Sequence, residues 1–176
     1  MTDKFIWPCE VHSNILKAVI FASKKHDGQR RKHIDEPYIC HPLRVAQRVA
    51  HLGEPHISVA ILHDVLEDTN TTAEELEENF GIIITQLVQE LTDVPKSAGN
   101  RETRKRLSRE QVKSPAAMSV KLADILDNLP SIKEFDQHFA KVFTKEVGES
   151  LGSLRDGDEN LWHQVLKLLG EENEVP

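Results

Sequence analysis

Cysteine is nearly absent from this sequence of 176 residues, which contains only Cys9 and Cys40. Two cysteines are too few for a disulfide framework, so we expect reduced thiols and a cytoplasmic protein. The chain also lacks a run of about 18 apolar residues, which argues against a membrane-spanning helix. Its first residues contain no basic stretch followed by an apolar one, so we expect no secretion signal.

Acidic residues outnumber basic ones, with 29 aspartates and glutamates against 22 lysines and arginines, for a formal net charge of −7. Nucleic acids and anionic membranes are negatively charged, and we predict neither as a partner. Two local basic segments remain, QRRK at residues 29–32 and RETRKRLSR at residues 101–109. A small anionic ligand could still bind at either segment, and nothing in the pattern predicts an oligomeric state.

Apolar residues recur at helical spacing nearly throughout the chain. They predict a first helix around Ile15, a second opened by Pro42 and a third, apolar almost all round, over residues 57–68. Thr72 and Glu75 form a capping box for the next helix, and Gly81 is expected to end it.

Residues 82–92 follow as a further helix, and the second half of the chain continues the pattern. Asn100 caps a polar helix to about Lys113, and Pro115 opens another that is expected to break at Pro130. The last helix stops at Gly170. We therefore predict one all-α domain over residues 1–176, a bundle of roughly eight to ten helices.

The apolar third helix contains four polar side chains in the stretch VAILHDVLED. Residues four apart share one face of a helix, so His63 should lie beside Glu67 and Asp64 beside Asp68. An ionised carboxylate in a core is costly unless it is paired, hydrogen-bonded or bound to a metal. The three carboxylates lie within five residues and cannot easily satisfy one another. A divalent cation would satisfy all of them.

Two more polar residues occupy similar apolar contexts, His41 in PYICHPL and Asp124 in VKLADILDNL. With His63 and Asp64 they make a mixed nitrogen and oxygen set that suits one Mn²⁺, Fe²⁺ or Zn²⁺ ion. Each residue also has an ordinary interpretation. His63 could be a hydrogen-bonded core histidine, Asp124 could pair with Lys121, and His41 could be a loop residue.

The joint pattern resembles the HD superfamily of metal-dependent phosphohydrolases, whose signature H…HD…D is matched by His41, His63–Asp64 and Asp124. Within that superfamily, several segments look like the hydrolase domain of the Rel/SpoT enzymes and most of all like the small stand-alone alarmone hydrolases. These segments are RRKHIDEPYICHPLRVA, AILHDVLEDT, ENFG, LTDV, RKRL and KLADILDNL. The resemblance runs from about residue 22 to 132. It implies an HD-type helical bundle that residues 133–170 complete.

The resemblance also implies a reaction, in which the 3′-pyrophosphate of (p)ppGpp is hydrolysed to GDP or GTP and pyrophosphate. The implied metal is Mn²⁺, held by the four signature residues, with Fe²⁺ or Zn²⁺ as alternatives. The resemblance assigns Glu67 and Asp68 to ordering or activating the attacking water. Both could act on a metal-bound water as general base. It assigns Arg31, Lys32 and Asn128 to the nucleotide. The presence of Glu67 and Asp68 also disfavours a non-catalytic nucleotide sensor.

Some positions depart from the family pattern. Ile125 and Pro130 stand where basic residues are usual, and His33 stands where Ser or Asp is common. The segment FDQHFAKVF does not align with a tyrosine that helps to hold the nucleotide, so His138 and Phe139 are both open candidates for its place. We expect these departures to affect nucleotide recognition. An HD phosphohydrolase acting on another nucleotide, such as (p)ppApp or NADPH, is therefore the alternative function.

The second basic segment has two interpretations. Arg101, Lys105 and Arg109 are four residues apart and form one stripe on a helix. The stripe could be a solvated face that pairs with Glu102 and Glu110. It could instead guide a polyphosphate toward the site.

Overall fold

The computed structural model describes residues 14–32 and 34–170, so Cys9 and His33 lie outside it. These residues form helices without a β-strand, apart from an isolated bridge between Arg30 and Pro37. The prediction of an all-α fold is therefore confirmed. The α-helices are α1 Asn14–Lys25, α2 Cys40–Arg48, α3 Glu54–Leu62, α4 Val65–Asp68, α5 Ala73–Leu91, α6 Arg101–Gln111, α7 Pro115–Phe135, α8 Gln137–Leu151 and α9 Glu159–Gly170. In the part described, no helix has the length and apolar character needed to cross a membrane.

Side-chain caps begin several helices where the sequence predicts them. The Thr72 hydroxyl accepts the Glu75 N–H at 3.2 Å at the start of α5. The Asn100 side chain accepts the Thr103 N–H at 2.9 Å at the start of α6, and Pro115 occupies the first turn of α7. Each cap satisfies a backbone donor that has no partner inside the helix.

Gly81 interrupts α5, as the sequence predicts, with φ +80° and ψ 165°. Helical residues continue on both sides of it, so α5 consists of two segments that meet at a kink. The left-handed φ with an extended ψ is a backbone conformation that side chains with a Cβ rarely adopt.

The substitution Gly81→Ala is therefore expected to destabilise the fold by about 1–3 kcal/mol, since alanine resists this conformation. Gly148 in α8 provides the matched control, because its exposed position leaves a new Cβ no neighbour within 4 Å. Gly148→Ala should stabilise by about 0.5–1 kcal/mol. Urea unfolding measures both, and a Gly81→Ala midpoint at or above that of the unmodified protein would contradict the conformational account.

The expected break at Pro130 is wrong, because α7 continues to Phe135. Proline has no N–H to donate to the carbonyl of Leu126, so one helical hydrogen bond is lost. Pro130 itself is exposed, while Leu129 and Ile132 beside it are buried. The packing of these flanking side chains outweighs the loss of a single bond.

The single helix expected over residues 57–68 is also wrong, because α3 ends at Leu62 and α4 begins at Val65. The His63 imidazole lies 2.7 Å from the Ala60 carbonyl, the oxygen that the Asp64 N–H would bind in an unbroken helix. His63 and Asp64 therefore stand at a junction between two helices.

Two helices form the centre of the fold and carry the polar candidates. In α3 every residue from Ser58 to Leu62 is buried. Helix α7 packs against α2, α3, α5, α8 and α9 and buries most of its length. Polar side chains at the end of α3 and in the middle of α7 are consequently held by rigid, packed backbone.

Candidate active site

The structure brings the four predicted metal ligands to one point. His41 comes from the first turn of α2, His63 and Asp64 from the α3–α4 junction, and Asp124 from the middle of α7. The Nε2 atom of His41 lies 3.2 Å from Asp124 Oδ1 and 3.5 Å from Asp64 Oδ2. The Nε2 atom of His63 lies 3.1 Å from Asp64 Oδ2 and 3.7 Å from Asp124 Oδ1. Ligand atoms around one ion lie about 3 Å apart, so these separations fit a shared cation.

The two histidines aim the same ring nitrogen at that point. A carbonyl oxygen only accepts hydrogen bonds, so His63 Nδ1 carries the proton that it donates to Ala60, at 2.7 Å. In the neutral imidazole, His63 Nε2 then carries the lone pair, and among the described residues this buried atom has no hydrogen-bond partner. His41, His63 and Asp64 all offer ligand atoms within 4.8 Å of one another. An unsatisfied nitrogen facing two carboxylates is the donor set that a divalent metal fits.

The electrostatics of the cluster favour ionised carboxylates. Burial alone would raise the pKa of Asp124, but Lys121, with Nζ 3.0 Å from Oδ2, and the two histidines hold that pKa well below its ordinary value. The pKa of Asp64 is likewise held far below that of an ordinary carboxyl, against its burial, by His63 and His41, and the histidines exert this effect on both carboxylates in their protonated form. The expected pairing of Asp124 with Lys121 is therefore present, yet it uses Oδ2 and leaves Oδ1 facing the histidines.

The carboxylate pair Glu67 and Asp68 lies in α4 and reaches solvent beside the cluster. The Glu67 carboxylate accepts the Asp93 N–H at 2.9 Å. The Tyr38 hydroxyl lies 2.7 Å from both Asp64 Oδ2 and Asp68 Oδ2, so it connects the cluster to Asp68. Partial burial raises the pKa of both Glu67 and Asp68. A raised pKa suits a proton acceptor that works near neutral pH.

The substitution Tyr38→Phe is expected to lower kcat/KM of the predicted hydrolysis roughly 10- to 100-fold, because it removes a donor that lies 2.7 Å from two carboxylates and can hydrogen-bond either of them. The phenylalanine ring keeps the stacking on His26, whose ring centroid is 4.8 Å away. Steady-state kinetics at saturating metal measure the effect. An unchanged kcat/KM would show that the hydroxyl does not organise the carboxylates.

Sequence reasoning missed Tyr38, Arg44 and Asp127. Tyr38 is the single tyrosine of the chain and precedes His41 by three residues, which is a usable signal. Asp127 lies three residues after Asp124 in a mostly apolar helix, a second buried carboxylate on nearly the same face. Its carboxylate accepts a hydrogen bond from His41 Nδ1 at 2.7 Å. Burial would raise the pKa of Asp127, but His41 and Arg44 lower it to about 2.

The three predicted nucleotide-binding residues border one cleft beside the cluster. Arg31 Nη2 donates to Asn128 Oδ1 at 2.9 Å, and Asn128 Nδ2 donates to Asp124 Oδ1 at 2.5 Å. Asn128 thus connects the cleft to the candidate metal ligands. The lining side chains are Arg31, Lys32, Ile34, Tyr38, Asn128, Ser131, Ile132 and Phe139.

Phe139, one of the two open candidates in α8, faces this cleft, and His138 is exposed and does not line it. Lys32 Nζ lies 5.8 Å from the centroid of the Phe139 ring, and the Arg101 guanidinium lies 5.2 Å from it. The cleft therefore has an aromatic face with cations beside it. Such a face suits a nucleobase, because every base can stack on an aromatic ring.

Two of the departures from the family pattern lie elsewhere. Ile125 is buried and lines a second cavity, between α6, α7 and α8. Pro130 is exposed and is not among the residues that line the cleft beside the cluster. In the described part of the chain, these two positions consequently leave the walls of that cleft unaltered.

The basic stripe of α6 faces neighbouring elements. Each cation pairs with an acidic side chain outside its own helix: Arg101 with Glu146, Lys105 with Asp93 and Arg109 with Glu149. The expectation of pairing with Glu102 and Glu110 is wrong, and Glu110 pairs with Arg106. Because these pairs neutralise the stripe, it adds little net charge with which to guide a polyphosphate.

An all-helical fold with an H…HD…D cluster at its centre defines the class of HD domains. Comparison with protein families agrees, since the family model described as HD domain matches residues 18–149. The chain belongs to the HD domain family. The structure is also similar to a solved structure described as a metazoan ortholog of SpoT that hydrolyzes ppGpp. The TM-score is 0.81 at 27% identity, covering 97% of this chain and 99% of that one.

Several curated relatives are named as 3′-pyrophosphohydrolases. The chain is 35% identical to the guanosine-3′,5′-bis(diphosphate) 3′-pyrophosphohydrolase MESH1 of Mus musculus, over 91% of this chain and 94% of that protein. It is 40% identical, over 77% of its length, to the guanosine-3′,5′-bis(diphosphate) 3′-pyrophosphohydrolase of Aquifex aeolicus. The match spans only 20% of the Aquifex protein, which is much longer.

Proposed function

We propose that this protein is a metal-dependent hydrolase that removes the 3′-pyrophosphate of (p)ppGpp and releases GDP or GTP with pyrophosphate. The observation that carries the proposal is the convergence of two histidine Nε2 atoms and two carboxylates, within 3.1–3.7 Å, beside a carboxylate pair and a basic cleft. The relatives named as 3′-pyrophosphohydrolases of this substrate support it.

The metal would be held by His41, His63, Asp64 and Asp124, and we propose Mn²⁺, with Fe²⁺ or Zn²⁺ as alternatives. When bound, the ion supplies Lewis-acid polarisation of the phosphate and positive charge against the charge that develops on its oxygens. The buried Nε2 of His63, which has no hydrogen-bond partner in the described part of the chain, supports this assignment, since a metal satisfies it without a proton.

In this proposal, Glu67 and Asp68 activate and orient the attacking water. Glu67 accepts a proton from the water, and its raised pKa brings its basicity closer to neutral pH. Asp68 orients the water, while the Tyr38 hydroxyl, 2.7 Å from Asp68 Oδ2, keeps that carboxylate in position. Both acids reach solvent, so water has access to them.

The cleft would hold the nucleotide. Phe139 offers a stacking face for the base, and the Arg31 and Lys32 side chains on its rim carry positive charge toward the phosphates. Asn128 hydrogen-bonds both Arg31 and Asp124. It would therefore hold the Arg31 side chain at a fixed position relative to the metal centre and the reacting phosphate.

A metal-dependent substrate panel tests the proposal. Purified protein freed of metal with a chelator and reconstituted with Mn²⁺ is given ppGpp, ppApp or NADPH, and released pyrophosphate or phosphate is measured. We expect pyrophosphate and GDP from ppGpp, and none in the chelator. If ppApp or NADPH were preferred, the proposed substrate would be wrong, but the protein would still be a metal-dependent phosphohydrolase. Absence of turnover on every substrate would overturn the proposal.

A further inference from the structure

The ring nitrogen of His41 that points away from the cluster hydrogen-bonds to a series of charged side chains. Its Nδ1 lies 2.7 Å from Asp127 Oδ2. Arg44 donates to the same carboxylate, from Nε to Oδ1 at 2.8 Å and from Nη2 to Oδ2 at 3.1 Å. Arg44 also donates to both carboxylate oxygens of Glu36, at 2.7 and 2.9 Å. We call Asp127, Arg44 and Glu36 the Asp127 chain.

The protons of this arrangement can be assigned from hydrogen-bond chemistry. An ionised carboxylate that already accepts two bonds from Arg44 can only accept from His41, so Nδ1 of His41 carries a hydrogen. In the neutral ring, the Nε2 of His41 then carries the lone pair, and it faces Asp64 and Asp124 at 3.5 and 3.2 Å. The Asp127 chain therefore selects the tautomer in which the nitrogen turned toward the cluster can bind a cation.

The two clustered histidines differ in how they are held. His63 donates from Nδ1 to a neutral backbone carbonyl, Ala60, which no substitution removes. His41 depends on a side chain and on its charge. Both rings are nearly inaccessible to solvent, so no water can readily take the place of a lost partner.

We infer that Asp127 is a positioning residue of the metal centre, which sets the tautomer, orientation and basicity of His41 and is itself held by Arg44 and Glu36. This inference rests on the proposed function, because it assigns Asp127 a role toward the metal that His41 would bind. A carboxylate partner on the far nitrogen of a metal-binding histidine raises the basicity of the ligand, and losing such a partner costs about 10- to 100-fold in metal affinity.

Asp127→Asn tests the charge with little change in size, since an amide oxygen can still accept from His41 while its NH₂ group meets the Arg44 donor. Arg44→Gln is a milder second variant that leaves Asp127 in place, should Asp127→Asn fold poorly. Asp158→Asn is the matched control, because Asp158 pairs with His51, 3.1 Å away, and not with a clustered histidine.

The measurement is the Kd for Mn²⁺ of each metal-free protein, by calorimetry, together with its dependence on pH and the thermal unfolding midpoint. We expect Asp127→Asn to weaken Mn²⁺ binding about 10- to 100-fold and to shift the pH at which binding is half-lost, with a smaller loss for Arg44→Gln. Asp158→Asn should leave the Kd unchanged.

Unchanged Mn²⁺ affinity and pH dependence in both Asp127→Asn and Arg44→Gln would overturn the inference and make the Asp127 chain a purely structural ion network. In that outcome, turnover of ppGpp by the unmodified protein would leave the proposed function intact. If the unmodified protein bound no Mn²⁺ and hydrolysed nothing, the proposed function and this inference would both fail.

Discussion

Asp64→Ala is expected to abolish metal binding and pyrophosphate release together. Asp64 Oδ2 faces the Nε2 atoms of both histidines, at 3.5 and 3.1 Å, so its removal opens the shared coordination sphere from two sides. If the metal supplies about 4 kcal/mol of transition-state stabilisation, its loss lowers kcat roughly a thousandfold or more.

The experiment compares the metal content of purified Asp64→Ala and unmodified protein by mass spectrometry, with the release of pyrophosphate from ppGpp. Circular dichroism establishes that the helices are retained, and Asp158→Asn serves again as a carboxylate variant outside the cluster. Full metal content with full turnover in Asp64→Ala would exclude Asp64 from the centre. Loss of turnover with full metal content would instead assign Asp64 to the chemistry alone.

Glu67→Gln is expected to spare the metal and to lower kcat roughly 10²- to 10⁴-fold, the usual contribution of a general base. The amide is nearly the same size as the carboxylate, and its oxygen can still accept the Asp93 N–H that lies 2.9 Å from Glu67 Oε2. The substitution therefore removes basicity while it keeps the local backbone contact. Glu67 is not one of the four residues proposed to hold the metal. The Kd for Mn²⁺ should therefore equal that of the unmodified protein within error.

Single-turnover rates at saturating Mn²⁺ separate this effect from substrate affinity. Glu67→Ala is the companion variant, which removes the contact to Asp93 as well. A Glu67→Gln enzyme with unaltered kcat would assign the proton transfer to another group, of which Asp68 is the nearest candidate.

The dependence of rate on pH carries a related expectation. Burial raises the pKa of Glu67 above the ordinary 4.5. A general base works in its ionised form, so kcat should be full above the raised pKa and fall as the pH drops through it. The acidic limb should therefore lie above pH 4.5 and be absent from the residual rate of Glu67→Gln. Saturating Mn²⁺ is needed, because protons compete with the metal for the histidines.

The fold was predictable to the extent that it depends on local patterns. Capping residues such as Thr72 and Asn100 and the glycine at position 81 have short-range effects, and the structure agrees with them. The break predicted at Pro130 is wrong because the course of the helix there depends on the burial of Leu129 and Ile132, which is a tertiary effect. The break at His63 depends on one side chain that hydrogen-bonds its own helix, which apolar periodicity does not reveal.

The residues of the site likewise differ in how far the sequence predicts them. Residues with recognisable motifs, such as His41 and Asp124, are predicted to be together, and the structure places them within 3.2 Å. The supporting residues carry no motif. Arg44 and Asp127 are separated by 83 positions, and only the packing of α2 against α7 brings them together. A sequence pattern identifies groups that react, whereas groups that orient them are selected by three-dimensional contact.

Metal-dependent hydrolysis of ppGpp is tested most directly by measuring pyrophosphate release as Mn²⁺ is titrated into the metal-free protein, with Asp64→Ala measured in parallel. We expect turnover that is absent without metal, rises to saturation at one bound ion per chain and does not appear in Asp64→Ala. Equal turnover in the chelator and in Mn²⁺, or no turnover once the protein is saturated with Mn²⁺, would contradict metal-dependent hydrolysis of ppGpp.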